Sequence, residues 1–150
     1  MNFSKAQISM EATLVFIFVL LVITSMIVVL PLNFSEISIF NEKNIAKKTL
    51  LDIKEAADQV YLIGNDTILY IWIEVPQNLN YSLSYIGAPS GVSDWNLRKQ
   101  LRFSLIGGGD LIEQTLGPIC GEIPRKSGKS KIRVEYNQTD TPHVMINSNC

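Results

Sequence analysis

Between Ala12 and Ser35 the chain carries no charged residue, and an uncharged run of that length fits few environments. The stretch from Ala12 to Leu32 has 21 residues. As a helix rising about 1.5 Å per residue it matches a hydrocarbon core of about 30 Å. Its polar members are Thr13, Thr24 and Ser25, whose hydroxyls can each return to a carbonyl one turn back. A buried helix of a globular core would be shorter and carry a polar stripe, so the run reads as a membrane span. Before it stands Lys5-Ala6-Gln7-Ile8-Ser9-Met10-Glu11. A secretory signal has its small-residue cleavage site after the apolar core. Here the small, polar segment comes first, so cutting between Ala6 and Gln7 would leave the helix on the product.

The remaining residues suffice for one modest domain. A net charge of -1 gives no basic surplus with which to hold nucleic acid. Lysines do not orient the span, because Lys5 lies on one side and Lys43, Lys47 and Lys48 on the other. Asn-x-Ser/Thr triplets orient it better. They fall at Asn33, Asn65, Asn80 and Asn137, with one more at Asn2, where chance would give about one or two. All but Asn2 lie C-terminal to the span, which favours an exterior C-terminal domain. Such a compartment permits a disulfide between Cys120 and Cys150, closing a loop of about thirty residues at a gain of roughly 3 to 4 kcal/mol. The alternative is two unrelated thiols.

From Glu36 to Leu62 there is neither proline nor glycine, and the apolar positions Ile39, Ala46, Leu50, Ile53, Ala57 and Val60 follow helical steps of three, four and seven. Glu42, Lys48, Lys54, Glu55 and Asp58 fall on the other side. Span and amphipathic segment together predict one helix from about Ser9 to Tyr61, weakened or kinked at Pro31, with Gly64-Asn65 as its stop. Beyond Gly64 the period becomes two. Leu69 to Val75, Tyr81 to Tyr85, Leu101 to Leu105, Ile132 to Tyr136 and Val144 to Ile146 read as short strands with polar turns between them. The expected fold is therefore α+β, a long hydrophobic N-terminal helix followed by a small antiparallel, sandwich-like β head, with the amphipathic stripe covering one sheet face. The segments are 1–6 as leader, 7–62 as helix (span about 12–32, amphipathic part 36–62) and 63–150 as head.

Motifs for chemistry are weak. Gly128-Lys129-Ser130 lacks the glycine a phosphate loop needs five places earlier, where Ile123 stands. Gly107-Gly108-Gly109 has no strand-to-helix setting and reads as a turn. A lone histidine, His143, does not build a multi-histidine metal site or readily supply a triad. No enzymatic activity, metal or cofactor is expected. Glu11 is different. A carboxylate at the border of hydrocarbon either marks the headgroup level or needs a cation, and cleavage before Gln7 would create one.

The segment Lys5-Ala6-Gln7-Ile8-Ser9-Met10-Glu11 resembles the class III signal peptide of archaeal type IV pilins: a short basic leader ending in Gly or Ala, then Gln-x-Ser-x-Glu, then an apolar helix. The likeness covers roughly the first 35 residues. It implies a membrane prepilin peptidase cutting between Ala6 and Gln7 on the cytoplasmic side, and an assembly ATPase and a platform membrane protein that move the subunit from the membrane into a filament. It also implies that Glu11 meets the new amine of Gln7 in a neighbouring copy. The resulting expectation is a self-polymerising subunit of an extracellular archaeal filament for surface or cell adhesion, membrane-held as a precursor. The rival is a membrane-anchored extracellular binding module, or a minor pilin, that contacts a ligand through Trp95 or Tyr85. An archaellum-type filament is disfavoured, because those leaders lack Gln-x-Ser-x-Glu.

Overall fold

The computed structural model describes residues 3–65, 67–88, 98–138 and 142–147, with backbone alone at 3–9 and 29–35. The chain divides into two compact units, Met1–Ser38 and Ile39–Cys150. One helix, α1 (Phe3–Ile63), runs through both.

In the first unit α1 holds the uncharged run. Among the described residues, Met10–Val28 is a stretch of 19 residues with mean hydropathy 2.5, long and apolar enough to cross a membrane, and none of it is buried within the chain. Its hydroxyls bond as expected of polar groups in an apolar helix: Thr24 Oγ1 donates to the Leu20 carbonyl at 2.7 Å, and Ser25 Oγ to those of Leu21 and Val22 at 3.0 and 2.9 Å. The side chains from Val29 to Leu32, the far end of the expected span, lie outside the described residues. Pro31 does not break the helix; its missing amide removes one bond from a ladder that continues on both sides.

In the second unit α1 lies on a sheet of seven strands: β1 (Ile68–Val75), β2 (Tyr85–Gly87), β3 (Gln100–Leu105), β4 (Gly109–Gln114), β5 (Ile119–Gly121), β6 (Gly128–Asn137) and β7 (His143–Ile146). Their spatial order is β1-β6-β7-β5-β2-β3-β4. The expectation of an antiparallel sandwich is corrected here: this is a single mixed sheet. β7 hairpins back from β6, with Val134 opposite Ile146, and inserts beside β5. It is antiparallel to β6 and parallel to β5, the one parallel pair among the described strands. No second sheet is required, because the helix supplies the second layer. Ala46, Leu50, Ile53, Ala57 and Val60 are buried with Ile73, Val75, Ile132, Val134, Phe103 and Ile119 in one core. Each large aliphatic side chain so buried contributes about 1.5 to 3 kcal/mol.

The expected stripe is right except at its first member, since Ile39 stays 37% exposed, and it omits Ala56 and Thr49, both buried. Among the described residues, polar side chains of α1 tie the helix to the head. Thr49 Oγ1 donates to the Glu74 carbonyl at 2.6 Å, and Lys54 Nζ lies 3.5 Å from Glu113 Oε2. Glu42 and Asp58 accept the amides of Gln77 and Leu116, both at 2.7 Å. Glu42, Lys54 and Asp58 therefore flank the buried face rather than simply facing water.

Four of the five expected strands form. The exception is Tyr81 to Tyr85, where only Tyr85 enters a strand. Asn80 Oδ1 accepts the Ser82 amide at 3.1 Å, and its carbonyl accepts the amides of Leu83 and Ser84. This local turn wins over the alternating pattern. The short strands β2, β5 and β7 meet through glycine: a Cβ on Gly87 would strike the Ile119 carbonyl, and one on Gly121 the Ile146 carbonyl. Both glycines also have positive φ, 95° and 145°, which favours glycine independently of space.

Candidate functional site

Glu11 is exposed on α1 in the first unit and is the one charged residue of Met10–Val28. Its described neighbours are apolar and equally exposed: Met10 at 69%, Leu14 at 61%, Val15 at 63%. Gln7 stands one helical turn before Glu11 and Ala6 just before that, both on helical backbone; their side chains lie outside the described residues. Water at this stretch would face a continuous apolar surface.

The triplets in the head differ in setting. Asn65 is exposed in the turn that follows α1, where Gly64, at φ 83°, donates to the Val60 carbonyl at 3.0 Å. Asn80 is half-buried in the turn described above. Asn137 ends β6 with its Nδ2, the atom a glycan would take, donating to Met145 Sδ at 3.4 Å. Asn33 lies on helical backbone within α1. Cys120 is buried on β5 and is not a free cysteine, while Cys150 lies outside the described residues.

Tyr85, one of the two expected ligand contacts, is half-buried, and its hydroxyl donates to Gln100 Oε1 at 3.2 Å. It lines a surface cleft of about 750 Å³ with Tyr81, Ser82, Glu122 and Arg125. Trp95 lies outside the described residues. More exposed aromatics, overlooked in the motif reading, occupy β1: Trp72 at 68% and Tyr70 at 56%. Lys131 Nζ stands 4.6 Å from the Tyr70 ring centroid. Their outward phase was legible, because Leu69, Ile71 and Ile73 take the inward one. Trp72 also borders a cavity of about 430 Å³ between α1 and β1.

On the opposite edge, Arg102 and Asp110 pair across β3 and β4 at 2.5 Å. Asp110 is held below the usual carboxylate range, first by the Ser104 hydroxyl and then by Arg102. His143 is buried on β7. Among the described residues no group of three or more His, Cys, Asp or Glu converges as metal ligands would.

Fold and surface thus define an α+β domain whose first helix continues into an exposed apolar stretch. Set against protein-family models, curated proteins and solved structures, the chain matches none.

Proposed function

We propose that this chain is the structural subunit of an extracellular archaeal type IV pilus-like filament, used for adhesion to a surface or another cell. The observation that carries the reading is the exposed stretch Met10–Val28 with Glu11 as its single charge, two residues after Lys5-Ala6-Gln7. Length and composition of that stretch also suit a signal sequence that is cut away; the small-residue segment ahead of it is the reason for reading the helix as retained. After cutting at Ala6-Gln7, Glu11 pairs with the Gln7 amine of the next subunit, which relieves the cost of holding a carboxylate among apolar side chains. Aliphatic side chains exchange lipid for neighbouring helices at little cost. Once outside the membrane, the alternative is water, and burial at about 25 cal/mol per Å² keeps the helices together. The heads then face outward, bearing glycan candidates and a Cys120–Cys150 bridge. Prepilin peptidase, ATPase and platform protein are the partners this route requires.

Sequencing the N-terminus of protein sheared from cells tests the reading. Abundant fibres whose subunit begins at Gln7 support it. An uncut protein that stays with the membrane and is released only by detergent would sink it.

A further inference from the structure

Within the second unit, β1 is the last strand on one side of the sheet. The Tyr136 amide donates to the Thr67 carbonyl at 3.1 Å, and in an antiparallel pair such bonded positions recur every second residue. Leu69, Ile71 and Ile73 therefore turn their main-chain groups to β6, while Tyr70, Trp72 and Glu74 turn theirs to the outer edge. At Glu74 that edge is already taken, because its carbonyl accepts the Thr49 hydroxyl of α1 at 2.6 Å. Beside the edge lie two cavities, of about 430 and 280 Å³. Trp72 and Asp52 line both, so the two form one groove with an aromatic wall at its middle.

The lining of this groove is mixed in a particular way. On α1, Lys48, Asp52, Glu55 and Gln59 follow steps of four, three and four, a polar stripe about 16.5 Å long. On the sheet stand Trp72, 68% exposed, and Glu74 with its register partner Lys129. Among the described residues, two ammonium groups against three carboxylates leave no positive surplus to hold a phosphate or an acidic sugar. Both signs are nevertheless present, and a hydroxyl that donates and accepts can use both. The C–H face of a pyranose ring packs well on an aromatic ring, whose face is electron-rich. An extended peptide adding to the β1 edge would use main-chain pairing instead, but α1 already occupies that edge at Glu74.

We propose that the groove between α1 and β1 binds a neutral carbohydrate. One pyranose ring stacks on Trp72, its hydroxyls bond to Asp52, Glu74 and the two lysines, and the second cavity takes the next ring of the chain. The site goes beyond the filament reading and does not require it, since a head that never polymerises would carry the same groove.

Calorimetric titration of the full-length protein tests the proposal, with cellobiose, maltose, lactose and mannobiose as probes. The expected result is saturable binding of at least one of them, weakened about tenfold or more in W72A and in D52A and less in W72F. Because Trp72 is exposed, W72A is expected to melt with the parent, which separates lost contact from lost fold. No saturable response to any of these sugars up to about 10 mM overturns the proposal. Equal affinity in the parent, W72A and D52A overturns it too. Digalacturonate binding where no neutral sugar binds refutes the charge argument and the proposal with it. A Thr-Val octapeptide is the control for strand addition: if it binds and no sugar does, the groove docks a strand and the proposal falls. The N-terminus of the same sample is sequenced separately, so a chain that begins at Gln7 but binds no sugar refutes this site alone, and an uncut chain that binds sugar refutes the filament reading alone.

Discussion

Glu11 and Asp110 are both exposed carboxylates, yet they answer to different surroundings. Glu11 belongs to the first unit, and the buried core is built from residues of the second alone. Glu11→Ala is therefore expected to abolish fibres while leaving the head's unfolding free energy within about 0.5 kcal/mol, as for a surface substitution; electron microscopy and a denaturant melt check the two halves. Asp110 acts in the head. Its lowered folded-state pKa means the folded chain gives up that proton more readily than the unfolded chain. The stabilisation is present above the unfolded carboxylate pKa and is lost as pH falls through the lower folded value. Asp110→Asn should therefore melt below the parent at neutral pH, with the gap closing at acid pH; parallel Tm-versus-pH curves would contradict it.

Among the elements, α1 is set on the sheet by apolar contact and by a few hydrogen bonds that fix its position. Ile53 is 1% exposed at the middle of that contact. Ile53→Ala removes its transfer free energy and leaves a cavity, for an expected loss of about 2 to 5 kcal/mol. Thr49, also 1% exposed, tests the polar part: Thr49→Val keeps the shape but leaves the Glu74 carbonyl without its donor, an expected loss of about 1 to 3 kcal/mol. Urea unfolding followed by tryptophan fluorescence measures both. The seam between β2 and β5 is less forgiving, because Gly87 has the Ile119 carbonyl where a Cβ would go.

At the scale of the whole molecule, a thiol count under denaturing, non-reducing conditions should find no free thiol if Cys120 and Cys150 are bridged; two free thiols would remove the bridge. The apolar span, the amphipathic stripe and the strands β1, β3, β6 and β7 were legible from the sequence alone. Their hydrophobic patterns are local: the run is apolar all round, and the stripe and strands each point to a buried side. Glu11 could be singled out for the same reason, as a charge beside an uncharged run. Sheet order was not legible. Nothing local in the three residues Ile119–Gly121 marks β5, and inserting β7 between β5 and β6 depends on pairings distant in sequence. The turn at Asn80 was missed because a side-chain hydrogen bond competed with alternation that suited a strand equally well. The sequence by itself determined which faces are apolar, because transfer free energy belongs to each side chain. Only the tertiary structure decided that one mixed sheet under α1, rather than two sheets, buries them, because that choice depends on which layers close over one another.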